Sequence, residues 1–175
     1  QKMAHYRDYI VHPDPKIQQR WLKGGENEFG RLFNGYGEVQ GLNVCEWIQW
    51  NNIPKNKIIT YARYTVAYRP EKINEPWRVR ITAGGDRLKY DGPVSTQVAG
   101  METFKILLNS TLSTPGAKMV TGDISNMYLK SFLKDAEYVG FKVDQIPANI
   151  INHYNLQNKI RNGMVYAKIN QAWYG

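Results

Sequence analysis

The chain of 175 residues is long enough for one ordinary core, or for one domain and part of another, and too short for two independent domains. Its 23 lysines and arginines against 15 acids give a formal charge of +8, a balance that favours a polyanionic partner such as nucleic acid. Cys45 is alone, which excludes an intrachain disulfide and suits a buried small hydrophobe in a reducing compartment; the three histidines lack metal-ligand spacing, and no apolar run approaches membrane-spanning length.

Residues 1–14 read as an N-terminal extension or linker. Residues 15–33 place Pro15 at a helix start and Ile17, Trp21, Leu22, Phe29, Leu32 and Phe33 at helical spacing, which predicts an amphipathic helix weakened by Gly24 and Gly25. Glycines 35, 37 and 41 end it, and 44–50 alternates as a strand. After a loop at 54–57, residues 58–69 are rich in β-branched and aromatic types, as are 78–82, and the polar stretch 70–76 joins the two as a long hairpin. Residues 84–86 form a turn and 86–97 a loop. Met101, Phe104, Leu107, Leu108 and Leu112 then recur with helical period, so a helix over 98–113 is expected, stopping before Pro115-Gly116. A strand ending near Asp123, a strand at 138–143, a short helix at 148–156 and a hairpin through Asn162-Gly163 into 165–169 complete an α+β order.

Asp123 carries the most chemistry. It follows a short β-prone run and precedes Tyr128 by five residues, the arrangement that presents a metal-binding carboxylate beside an aromatic ring. An aspartate just beyond a strand is also an ordinary turn former or helix cap. Tyr128 beside Leu129 and Phe132 reads equally as a core aromatic. Arg78 and Arg80 are two apart on the expected strand and share a face; their guanidinium groups offer planar paired donors to phosphate, or guard a strand edge. A phosphate-binding glycine loop, a catalytic triad and a metal cluster are all absent from the sequence.

In this order the motifs resemble the N-terminal part of a copia-type retrotransposon reverse transcriptase. Trp21, Glu28 and Leu32 fall at its leading helix. The run Arg78-Val79-Arg80-Ile81-Thr82-Ala83-Gly84-Gly85 is similar to its basic, apolar and glycine stretch. Asp123-Ile124-Ser125-Asn126-Met127-Tyr128-Leu129 is similar to its first catalytic motif, and 165–169 with Trp173-Tyr174-Gly175 to the strand before its next motif. The resemblance spans 15–175, with Gly84 where many relatives carry lysine. It implies the fingers and partial palm of a right-hand polymerase, with 15–97 mainly fingers, 98–175 carrying the first catalytic motif, and the chain stopping before the Asp-Asp hairpin.

The same resemblance implies two-metal nucleotidyl transfer from a dNTP to a primer 3′-hydroxyl. Asp123 and the Ile124 carbonyl would hold Mg2+, and Arg78, Arg80, Ser125, Asn126, Met127 and Tyr128 would surround the nucleotide, with Tyr128 against the sugar. Lys55, Lys57, Arg63 and Arg69 would meet template phosphates. The partners would be an RNA or DNA template with its primer, dNTP and the remainder of a retroelement polyprotein, with no membrane. The location would be intracellular, in the cytoplasm or in retroelement particles. The chain has no Asp-Asp dipeptide, and two metals about 3.5–4 Å apart need carboxylates from more than one strand, so the chain alone is expected to be catalytically silent. The alternative is a domesticated, non-catalytic nucleic-acid-binding or interaction remnant of a retroelement.

Overall fold

Helix α2 (Pro15–Leu32) starts where the sequence directs it. The Asp14 carboxylate accepts the Lys16 amide at 2.8 Å, and Pro15 occupies the first helical position. Trp21, Phe29 and Leu32 point into the core, and the Phe33 amide closes the last turn on the Phe29 carbonyl at 3.0 Å. Gly24 and Gly25, expected to weaken the helix, are its contact points. A Cβ at Gly24 would overlap the Trp77 carbonyl oxygen, and one at Gly25 the Tyr6 hydroxyl. The missing side chains let the helix backbone press directly against its neighbours.

The computed structural model describes residues 5–88, 99–122 and 126–173. They form a mixed α+β fold in which β1 (Cys45–Ile48), β2 (Ile59–Tyr68), β3 (Trp77–Ala83), β4 (Phe132–Lys142) and β5 (Met164–Gln171) make one sheet ordered β1-β5-β4-β2-β3. β2 and β3 are the expected antiparallel hairpin, paired from Ala62↔Ala83 to Tyr68↔Trp77. β4 pairs antiparallel with β5, and β2 meets β4 in parallel over only Ile59–Tyr61. Asn162 and Gly163 both adopt positive φ, 50° and 72°, as a two-residue hairpin turn requires. The core centres on aromatic rings: Phe33 stacks on Trp47 with centroids 4.0 Å apart, and Phe29 and Phe141 close around them.

Three expectations change. Residues 6–10, read as extension or linker, form a short helix α1 (Tyr6–Ile10) whose Tyr6 and Ile10 belong to the core; five residues carry too little periodicity to announce a helix. β4 begins at Phe132, six residues before the expected start: Phe132 pairs with Gln171 and Glu137 with Ile169, and the polar Lys134-Asp135-Ala136 between them sits in a register irregularity that the local pattern does not announce. The strand expected to lead into Asp123 is absent: residues 117–122 are irregular, with Val120 exposed, since β-prone residues make a strand only when a ladder receives them.

By contact the chain divides into two units, Gln1–Leu88 with Asn126–Gly175, and Lys89–Ser125. The second contains helix α3 (Met101–Ser113), which stops before Pro115 as expected and has no buried residue. The helix expected over 148–156 is α4 (Ala148–His153), followed by a 3₁₀ turn at Leu156–Lys159. Among the described residues no helix is long and apolar enough to cross a membrane.

Candidate nucleotide cleft

β3 lies at the edge of the sheet, and α2 runs beside it. Strand alternation turns Val79 and Ile81 inward and leaves Arg78 and Arg80 on the outward row. Arg78 folds back over the edge toward α2, where the fully buried Glu28 carboxylate receives it at 3.2 Å and also accepts the Arg31 guanidinium. The other Glu28 oxygen faces the Ile81 amide at 3.4 Å, so one carboxylate joins two arginines and the strand edge.

Glu75, in the hairpin loop, is the second carboxylate. It accepts Arg78 Nη1 at 2.7 Å and Arg31 Nη2 at 3.2 Å, and Arg69 Nη2 lies 3.8 Å away. Burial alone would raise the Glu75 pKa, but Arg31 and Arg78 outweigh it and hold the carboxyl below its usual range. Burial would likewise lower Arg31, and the carboxylates of Glu28 and Glu75 more than offset it, so Arg31 is raised.

Above this network opens a cavity of about 560 Å³ lined by Arg31, Arg69, Lys72, Glu75, Arg78 and Asn126, with Glu71 at its wall. Four cations against Glu28, Glu71 and Glu75 leave the cleft with one net positive charge. The Nε–H groups of Arg69 and Arg78 are buried without an acceptor among the described residues. The cleft is lined mainly by guanidinium and ammonium donors with a small excess of positive charge, which suits an anionic ligand. Asn126 enters in the left-handed conformation, φ 57°.

Three residues singled out in the sequence thus meet here: Arg78, Asn126 and Arg69, the last assigned there to template phosphates rather than to the nucleotide. Arg80 is exposed on β3 and does not line the cleft. Met127 is exposed, and Tyr128 opens the turn Tyr128–Lys130. The expected template residues do not converge. Lys55 and Lys57 flank a separate cavity of about 380 Å³ beside Trp50, with Lys57 paired to Glu137 at 3.4 Å, while Arg63 pairs with Asp86 at 3.1 Å and lies over the Tyr61 ring. Asp123, Ile124 and Ser125 lie outside the described residues, and among those described no three His, Cys, Asp or Glu side chains group to hold a metal. Sequence reasoning missed Arg31, Lys72 and Glu75. Arg31 follows Glu28 by three residues on α2, a pairing signal that was there to find, whereas Glu75 reaches the site only through the hairpin.

No protein family matches the chain, and neither does any curated protein or solved structure.

Proposed function

We propose that the chain is the fingers and partial palm of a copia-type reverse transcriptase, an RNA-directed DNA polymerase that transfers a nucleotidyl group from a dNTP to a primer 3′-hydroxyl. The observation that carries the reading is the cleft in which Arg69, Lys72 and Arg78 meet Asn126, three residues beyond Asp123. In the reaction the hydroxyl gives up its proton to water, its oxygen attacks the α-phosphorus, the bond to the bridging oxygen breaks, and pyrophosphate leaves. Arg78, Arg69 and Lys72 hold the triphosphate and neutralise its charge. Tyr128 is the residue that, in this reading, would crowd a 2′-hydroxyl of the incoming sugar. In this reading Asp123 and the Ile124 carbonyl would hold magnesium, and a divalent ion there would supply charge stabilisation that side chains alone do not.

An NMR titration of the chain with dTTP tests the cleft. The expected result is a set of shifts concentrated at Arg69, Lys72, Arg78 and Asn126, smaller with the monophosphate, and about tenfold weaker binding in Arg69→Gln/Lys72→Gln. Shifts scattered over the surface, or none at millimolar dTTP, overturn the assignment. A chain extended through an aromatic-x-Asp-Asp hairpin should extend a primer, and Asp123→Asn should abolish that extension.

A further inference from the structure

A second basic surface shares no residue with the cleft. On the N-terminal half of α2, Lys16, Arg20 and Lys23 stand at i, i+4 and i+7, one exposed stripe of the helix. The Arg20 guanidinium lies 5.2 Å from the centroid of the Trp77 ring. Trp77 in turn packs against Tyr68, centroids 4.4 Å apart and the rings tilted by 32°, and Tyr68 is 57% exposed. Arg20, Trp77 and Tyr68 therefore form a continuous row of contacts from the helix to the hairpin. Beside it is a cavity of about 560 Å³ walled by Lys16, Arg20, Lys23, Glu26 and Trp77.

The charges of this surface are open to a ligand. Lys16 and Lys23 are exposed and pair with none of the described carboxylates, and what sets them apart is the aromatic row of Trp77 and Tyr68 beside them. The acid in the wall, Glu26, is buried and accepts from Asn149 Nδ2 at 2.8 Å. Uncompensated lysines next to an exposed aromatic face suit a ligand with backbone phosphates and free ring faces.

We propose that the α2 stripe with Trp77 and Tyr68 is a binding track for single-stranded nucleic acid. Phosphates sit on Lys16 and Lys23, and an unpaired base stacks on Tyr68. A duplex has its base faces already stacked and offers none to the ring, and an acidic peptide has none to offer. The inference deepens the polymerase reading by locating an unpaired strand away from the nucleotide cleft.

Fluorescence anisotropy with a labelled oligo-dT of about 20 nucleotides tests it on the full chain. The wild type should bind with marked salt sensitivity. Lys16→Gln/Lys23→Gln should reduce the slope of log K against log salt by about 1.4, two phosphate contacts at about 0.7 each on a single strand. Tyr68→Ala should weaken binding about tenfold and Tyr68→Phe should restore it, because the stacking face is kept. If both the lysine and the Tyr68→Ala variants bind like the wild type, the track is wrong and the polymerase reading stands. If the wild type fails to bind at low salt, both fall. A polyglutamate peptide that binds with the same dependence on Tyr68 overturns the track in favour of an acidic protein partner.

Discussion

The indole Nε1–H of Trp173 donates to the carbonyl of Ile81 at 2.8 Å, joining positions 92 residues apart. Ile81 sits on the edge strand β3, paired with Tyr64 on one side, and its opposite side is met by Trp173 at the carbonyl and by Glu28 at the amide. Two side chains thus close an edge that would otherwise present free backbone groups to another strand.

Trp173→Phe should keep the ring packing against Phe141, 6.1 Å away, and lose the bond to the edge. We expect a loss of about 1–2 kcal/mol with an unchanged urea m-value. Denaturation within error of the wild type would show that the Ile81 carbonyl finds another donor.

Glu28→Gln should be far more damaging. It leaves Arg31 and Arg78 to share Glu75, at an expected cost of about 3 kcal/mol or more. A cycle with Arg78→Gln should give a coupling of about 1 kcal/mol or more, since each substitution removes the other's partner. Additive effects would mean that the two side chains do not interact in solution.

Gly24→Ala opposes helix propensity to packing. Propensity alone predicts a gain of about 1 kcal/mol in a helix interior. The overlap with the Trp77 carbonyl predicts instead a loss of about 1–3 kcal/mol, with α2 pushed off β3. Gly85→Ala, whose added Cβ meets nothing within 4 Å, is the control and should change stability by less than about 1 kcal/mol. A stabilised Gly24→Ala in thermal melts would refute the close approach.

The ends of the pH scale read two different groups. The Glu75 carboxyl is held below its ordinary value near 4.5, so its contribution is present above that pH and is lost as acid protonates it; Glu75→Gln should flatten the acid limb of stability against pH. Burial pushes the Tyr154 phenol up to about 12, and it donates to the Gly35 carbonyl at 2.7 Å. A raised pKa gives stability that is complete below about pH 10 and declines between roughly 10 and 12; Tyr154→Phe should be less stable at neutral pH yet lose less on going to pH 11. Parallel pH profiles for variant and wild type would remove either residue from this role.

Local pattern was enough wherever neighbours in sequence are neighbours in space. The Pro15 start of α2, the β2–β3 hairpin, the stop of α3 before Pro115 and the Asn162-Gly163 turn all rest on backbone preferences a few residues long, and each was legible before the fold. The basic character of the chain was legible too, since charge is a sum over residues. Which cations act together was not. Arg31 comes from a helix, Arg69 and Arg78 from two strands, Glu75 from the loop between them, and Asn126 from some fifty residues further along; only the packing of α2 against β3 makes them one cleft. The glycines at 24 and 25 changed meaning for the same reason: propensity counts a glycine as a loss within its own helix, whereas the approach it permits is decided by Trp77 and Tyr6, whose positions only the tertiary fold sets.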